Sequence, residues 1–158
     1  MVIRIFIITL SFHAVLLAAA QQTGDPGVDF EFPTAPVIQD PRFAQKEEQL
    51  IEAIKLDPGN PDLKIQLARL YQLHRYYDRA IPILEKTIEE YPTNARAHFY
   101  LGQIMGSQQR DPDRSLQELR EAIRLDPDCI EFRQELVSVY YRLQRFPPAL
   151  AQLEEILR

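Results

Sequence analysis

Hydrophobic residues recur with helical spacing from position 43 to the end of the chain. Leu50, Ile51 and Ile54 form the first apolar stripe, which stops at Asp57 and Pro58. Residues three and four positions apart lie on one face of a helix, so the stripe predicts an amphipathic helix rather than a strand. The same spacing predicts six further helices, at 61–73, 78–90, 95–105, 113–125, 130–143 and 148–158. The pattern therefore predicts an all-α domain.

One proline returns at a nearly constant interval, which divides these helices into repeats. Pro58, Pro92 and Pro127 are separated by 34 and 35 residues. Equivalent positions around them hold similar residues: Leu67, Leu101 and Leu136; Tyr71, Met105 and Tyr140; Ala80, Ser115 and Ala149; Leu84, Leu119 and Leu153. A period of this length indicates helix pairs that stack on their neighbours. We therefore predict a half repeat followed by three full repeats, at 43–57, 60–92, 94–127 and 129–158.

The repeated columns resemble those of the tetratricopeptide repeat family throughout the helical part of the chain. The resemblance implies a right-handed superhelical stack of antiparallel helix pairs, an α-solenoid. Small residues in two columns, such as Gly102 and Ala80, suit the close helix crossings of such a stack. The chain departs from the family in one column, where Lys64, His98 and Arg133 replace a large aromatic residue.

The resemblance also implies a binding surface. In proteins of this family, the first helix of each repeat lines a concave groove that binds an extended peptide or a helix. The partner-binding groove is accordingly expected at Asp62, Ile65, Arg69, Gln72, Arg96, Phe99, Gln103, Gly106, Glu131, Gln134, Ser138 and Tyr141. Ile65, Phe99 and Tyr141 would supply apolar anchors, and Arg69 and Arg96 would attract carboxylates.

One known ligand mode of the family does not map onto this chain. A clamp of lysine and asparagine side chains holds the terminal carboxylate of a chaperone tail, whereas the corresponding columns here hold Ile65, Arg69, Tyr100, Glu131 and Glu135. Chaperone-tail binding is therefore not predicted. For the neighbours Phe99 and Tyr100 two alternatives stay open: they anchor a ligand, or one of them packs into the stack.

The first twenty residues have the pattern of a secretory signal peptide. Arg4 precedes an apolar run at 5–17, and Ala18, Ala19 and Ala20 provide a small-residue cleavage site before Gln21. The alternative is an uncleaved membrane anchor, although the run is short for a bilayer core of about 30 Å. We expect export, either to a bacterial periplasm or out of the cell.

Residues 21–42 combine four prolines with two glycines, a composition that predicts a disordered linker before the domain at 43–158. Val28, Phe30 and Phe32 alternate with acidic residues in this segment. Two interpretations remain for them: an ordinary spacer with a few apolar residues, or a strip that lies on a partner or on the solenoid itself.

Charge and candidate reactive residues narrow the classes of function. The chain has a net charge of −5 and lacks a dense lysine cluster, so nucleic acid is not an expected partner. His74 and His98 lack metal-ligand spacing, and adjacent glutamate pairs point about 100° apart on a helix, so they cannot share a substrate. The single Cys129 excludes an internal disulfide and is either a small turn residue or a thiol that pairs between chains. We predict no catalytic residue, no cofactor and no metal.

The last predicted helix has apolar residues that a further helix would cover in a longer stack, namely Leu150, Leu153 and Leu157. We expect a homo-oligomer or a partner at this uncapped end, unless the helix rotates or frays to hide the patch. Together these expectations describe an exported adaptor or scaffold that binds a protein segment within a cell-envelope complex. The alternatives are a self-assembling structural oligomer and a membrane-tethered accessory subunit of an enzyme complex.

Overall fold

The computed structural model describes residues 40–107 and 111–157, where helices are joined by short turns and no strand occurs. The helices are α1 (Pro41–Leu56), α2 (Pro61–Leu73), α3 (Tyr77–Glu90), α4 (Ala95–Ser107), α5 (Pro112–Leu125), α6 (Ile130–Arg142) and α7 (Phe146–Ile156). None of these helices is long and apolar enough to cross a membrane. The predicted signal peptide and nearly all of the predicted linker lie outside the described residues.

The helices stack in the order of the sequence. Each pair α2–α3, α4–α5 and α6–α7 packs together, α1 packs on α2, and the first helices of successive pairs also contact one another. This arrangement confirms the predicted all-α stack of helix pairs. Its core runs along the stack and includes Leu67, Leu84, Leu101, Leu119 and Leu136, which are all at most 2% exposed.

Capping side chains explain where several helices begin. Asp40, Asn60 and Asp111 accept hydrogen bonds from backbone N–H groups of the first turns of α1, α2 and α5, and each is followed by a proline. Helix α1 therefore starts at Pro41, inside the segment predicted as linker. The linker boundary at position 42 was wrong because a proline in the first helical turn, behind an aspartate cap, favours a helix.

Glycine and serine allow a close helix contact where α4 crosses α5. A Cβ on Gly102 would lie 2.8 Å from Leu119 Cγ and 3.1 Å from the Leu119 backbone nitrogen. The Ser115 hydroxyl donates a hydrogen bond of 2.7 Å to the Gly102 carbonyl oxygen. These contacts agree with the sequence argument that the small columns serve close helix crossing.

The column that replaces the family's aromatic residue links the two helices of each pair. Lys64 forms a salt bridge to Glu90, His98 Nδ1 lies 2.7 Å from Glu118 Oε2, and Arg133 contacts Gln152 Oε1 at 3.4 Å. Lys64 and His98 are buried. In each repeat a cationic or polar contact therefore takes the place of an aromatic packing contact.

The geometry around His98 requires a charged ring. Nδ1 faces the Glu118 carboxylate, and Nε2 lies 3.1 Å from the carbonyl oxygen of Pro92. A neutral imidazole can donate from only one nitrogen, so both contacts are satisfied only by the imidazolium. The hydrogen bond to Glu118 raises the pKa of His98 above 6.5, with help from Pro92 and the nearby Glu121 charge, and against the opposing effect of burial.

This pair predicts a stability that falls as pH rises. The protonated ring stabilises the fold fully below the unfolded pKa of 6.5, and this contribution disappears as pH rises through the raised folded-state pKa. We expect the free energy of unfolding, measured by urea titration, to fall above pH 6.5 by at most about 1.4 kcal/mol per pH unit. His98→Gln should flatten this slope, and His74→Gln, at an exposed position, should keep it. An unchanged slope in His98→Gln would contradict the assignment.

The half repeat is attached by aromatic and charged contacts. Phe43 lies edge-on to His74 and Tyr76, with ring centroids 4.5 and 5.5 Å away. Glu47 accepts hydrogen bonds from the Tyr71 hydroxyl at 2.6 Å and from Arg79 at 2.8 Å. Burial, followed by the Glu47 hydrogen bond, raises the Tyr71 pKa far above its usual range. Helix α1 is therefore docked on α2 and α3 through specific contacts.

Candidate functional site

An open groove of about 480 Å³ crosses the first helices of the three repeats, α2, α4 and α6. It is lined by Arg69, Gln72, Leu73, Arg75, Tyr77, Tyr100, Gln103, Ser107, Glu131, Glu135 and Arg142. The lining combines aromatic rings, amides and charges of both signs. Such a mixed surface suits a ligand with both apolar and polar groups.

A ladder of polar side chains connects the three helices across the groove. Gln72 Nε2 donates to Gln103 Oε1 at 2.6 Å, and Gln103 Nε2 donates to Glu135 Oε2 at 3.1 Å. Arg142 donates to the other oxygen of Glu135 at 3.2 Å. Because each member is held by its neighbour, the ladder fixes the side-chain positions on the groove surface.

The charges of the groove are separated along it. Arg69 and Arg75 belong to the α2 side, and the Arg69 guanidinium lies 5.9 Å from the centre of the Tyr100 ring. Glu131 and Glu135 belong to α6 on the opposite side. Glu135 is paired with Arg142, and Glu131 is exposed in the first turn of α6.

The structure places four of the predicted groove residues in the lining: Arg69, Gln72, Gln103 and Glu131. It contradicts the prediction for Ile65 and Phe99, which are 4% and 2% exposed and belong to the core. The Phe99 ring stacks on Phe132 with centroids 4.8 Å apart. These two residues face the neighbouring helices because each first helix packs against the next first helix as well as against its own partner.

The remaining predicted groove residues with described side chains do not line this groove: Asp62, Arg96, Gln134, Ser138 and Tyr141, together with the buried Gly106. The prediction used the columns of positions 62, 65, 69 and 72, whereas α4 and α6 line the groove mainly with the columns of 66, 69 and 73, namely Tyr100, Gln103, Ser107, Glu135 and Arg142. The face predicted for each first helix therefore lies closer to the core than the face that lines the groove. Tyr141 instead packs edge-on against Phe146, with centroids 5.9 Å apart.

Of the two alternatives for the neighbours Phe99 and Tyr100, the structure selects the second. Phe99 packs into the stack and Tyr100 lies half-buried in the groove. The prediction also left out Leu73, Arg75, Tyr77, Ser107, Glu135 and Arg142. The columns of the family's ligand clamp indicated the lining of the groove better, because Tyr100, Glu131 and Glu135 occupy these columns and all three line the groove.

A larger cavity of about 630 Å³ lies beside α5, but several of its charged groups already have partners. Arg124 makes two hydrogen bonds to Glu121, Arg120 donates to the Tyr140 hydroxyl, and His98 pairs with Glu118. These contacts indicate a structural role. Within 40–107 and 111–157, no group of three His, Cys, Asp or Glu side chains is placed to hold a metal ion.

The predicted uncapped end carries an exposed apolar stripe on α7. Leu150, Leu153 and Leu157 are 58%, 43% and 86% exposed, and Phe146 continues the stripe at 55%. The spacing of four, three and four residues places them on one helical face. The homo-oligomer or partner expected at this face stays a prediction.

Comparison with known proteins agrees with this architecture. Two family models described as tetratricopeptide repeat match residues 61–104 and 107–158. The curated mouse protein "Interferon-induced protein with tetratricopeptide repeats 2" is 43% identical over 51 residues, which are 32% of this chain and 11% of that protein.

Solved structures with similar folds have low sequence identity. MamA from Desulfovibrio magneticus RS-1 is 20% identical, with a TM-score of 0.65 over 73% of this chain and 65% of its own. YrrB, described as a tetratricopeptide repeat protein with an unusual peptide-binding site, is 17% identical, with a TM-score of 0.62 over 73% and 59%. The chain thus spans about two thirds or less of these structures and a ninth of the curated relative.

Proposed function

The chain belongs to the tetratricopeptide repeat family, and we propose that it is an adaptor that holds an extended segment of a partner protein in the groove between α2, α4 and α6. The observation that carries the proposal is the polar ladder across three consecutive first helices. It places hydrogen-bonding groups in a line along which an extended backbone can run. The protein then acts by binding a partner rather than by catalysing a reaction.

The groove offers both apolar contact and unused hydrogen-bonding capacity. Tyr100, Tyr77 and Leu73 provide apolar surface, and Leu73 is 70% exposed. Among the described residues, no group donates a hydrogen bond to Gln72 Oε1, and Gln103 has one N–H still free to donate after its bond to Glu135. A peptide can therefore bind through its backbone while its side chains contact the aromatic rings.

Our proposal places this adaptor outside the cytoplasm, as part of a cell-envelope complex. The support is the sequence pattern of residues 1–20, with its positive start, apolar run and alanine cleavage site.

Photo-crosslinking from the groove in the native host tests both parts of the proposal. A photoreactive amino acid at position 100 should capture one partner protein, because Tyr100 lines the groove and is only half-buried. Position 89, on the exposed surface of α3, is the matched control and should not capture it. Mass spectrometry of the same sample should find a mature N-terminus at Gln21.

Each alternative gives a different result in this experiment. Capture of the same protein from positions 89 and 100, or of nothing from position 100, would contradict the groove as the binding site. An N-terminal peptide that still contains residues 1–20 would contradict cleavage and favour a membrane-tethered accessory subunit.

A second candidate function is a self-assembling structural oligomer, and the exposed α7 stripe favours it. Phe146, Leu150, Leu153 and Leu157 form one apolar face in a helix whose other face packs on α6. Contiguous exposed apolar faces mark interaction surfaces more often than isolated residues do. In the crosslinking experiment this candidate predicts capture of the protein itself.

A further inference from the structure

We propose that the groove selects an extended segment that carries an acidic and a basic side chain about five or six residues apart. This inference rests on the proposed function and specifies the chemistry of the partner. It follows from the separation of the charges on α2 and α6. A ligand of this kind places its carboxylate near Arg69 and Arg75 and its cation near Glu131.

The α2 side of the groove can accept a carboxylate. Arg69 contacts the face of Tyr100 and is exposed, and Arg75 is exposed in the turn after α2. Among the described residues, neither guanidinium has an acidic partner. The lining from α2 and α3 contains no acidic residue, so nothing there competes with a ligand carboxylate. Two guanidinium groups in the same lining provide a suitable site for charge-assisted hydrogen bonds.

The backbone near Arg75 brings its side chain to the groove. Arg75 has a φ of 63°, in the left-handed region, and its N–H bonds to the Gln72 carbonyl oxygen at 3.0 Å. A left-handed residue after a helix turns the chain sharply and ends the helix. The turn thereby places Arg75 and the following Tyr77 beside the α2 residues of the groove.

The α6 side has the opposite charge. Glu135 accepts hydrogen bonds from both Gln103 and Arg142, whereas Glu131 forms no hydrogen bond or salt bridge through its side chain with the described residues. Glu131 lies one turn before Glu135, so both carboxylates point from the same face of α6. Since Arg142 neutralises Glu135, Glu131 supplies the uncompensated negative charge at this side.

Helix spacing sets the separation of the two ligand charges. Neighbouring packed helices lie about 8–10 Å apart, so α2 and α6, with α4 between them, are about 16–20 Å apart. An extended chain advances about 3.3 Å per residue, which gives about five or six residues between the charges. The glutamine ladder lies between the two ends and contacts the intervening backbone.

A panel of fluorescent peptides tests this inference on the full-length chain. Each peptide of about ten residues holds one glutamate and one lysine in a serine and threonine background, with both orders and all spacings. We expect anisotropy titrations to show the tightest binding at a spacing of about five or six residues, and about tenfold weaker binding when both charged residues are replaced by serine. Higher salt should reduce this difference because the charges are exposed.

Removal of two charges from the protein provides the matched control. The variant with Arg69→Ser and Glu131→Gln should lose the preference for the charged pair, while Glu89→Lys, on the exposed surface of α3, should keep it. Equal binding of the charged and the serine-substituted peptides to the unmodified chain would overturn the inference and leave the proposed function intact. If no peptide bound, the groove would not be a peptide site, and both proposals would fail.

Discussion

Replacing Phe99 with alanine should destabilise the C-terminal repeats by about 3–5 kcal/mol, which makes it one of the most damaging substitutions in the chain. The ring is 2% exposed, stacks on Phe132, and belongs to a core cluster with Leu116, Leu119 and Leu136. Its removal leaves a cavity between α4 and α6 that the rigid helix backbones cannot fill. Because the folded state of a domain is stable by only about 5–15 kcal/mol, the loss is a large fraction of the total.

The effect should be regional, because each repeat contacts only its neighbours. Hydrogen exchange of Phe99→Ala should show lost protection in α4 to α7 and much less change in α2. Tyr100→Ala is the matched comparison, since the adjacent ring lies in the groove; it should change the free energy of unfolding by about 1 kcal/mol or less and weaken partner capture. If Phe99→Ala kept its stability and lost only binding, the sequence prediction of a groove anchor would be correct and the packing described here wrong.

Gly102→Val should cost about 3 kcal/mol by forcing α4 away from α5. The first atom of any side chain at this position would lie 2.8 Å from Leu119 Cγ and 3.1 Å from a backbone nitrogen. Leu119 is fully buried, so it cannot move aside, and the Ser115 hydrogen bond to the Gly102 carbonyl would lengthen as the helices separate. Urea unfolding followed by circular dichroism would measure the loss.

Gly59→Ala is the control, because the added Cβ would meet only the Tyr91 hydroxyl, at 3.9 Å. Gly59 does not have a positive φ, so alanine fits its backbone, and the free energy of unfolding should stay within about 0.5 kcal/mol or rise slightly. A Gly102→Val variant as stable as Gly59→Ala would mean that the α4–α5 crossing is looser than these distances indicate.

The candidate site was only partly predictable from the sequence. Four residues predicted from the family resemblance lie in the groove lining, because the resemblance gives the helices that form it: Arg69, Gln72, Gln103 and Glu131. Ile65 and Phe99 were assigned wrongly, because an apolar residue on a first helix suits both a ligand anchor and a contact between helices. Arg75 lies outside the repeated helical pattern, and its place in the groove depends on the turn after α2.

The groove face depends on an angle that the sequence does not contain. Adjacent helical residues such as Phe99 and Tyr100 differ in direction by about 100°, so the rotation of α4 about its axis determines which of the two rings is buried. That rotation is set by the contacts of α4 with α2, α5 and α6 together.

The elements and their pairing could be read from the residue pattern: a period of 34 to 35 residues, helices between capped or proline-marked ends, and small residues where helices cross. These features are local, because capping and periodicity act within a few residues along the chain. Helix packing selected which face of each first helix is buried, how Lys64 and His98 are paired, and which charges meet across the groove. Those outcomes depend on packing between helices distant in sequence, where several side chains compete for one buried surface and the combined fit selects among them.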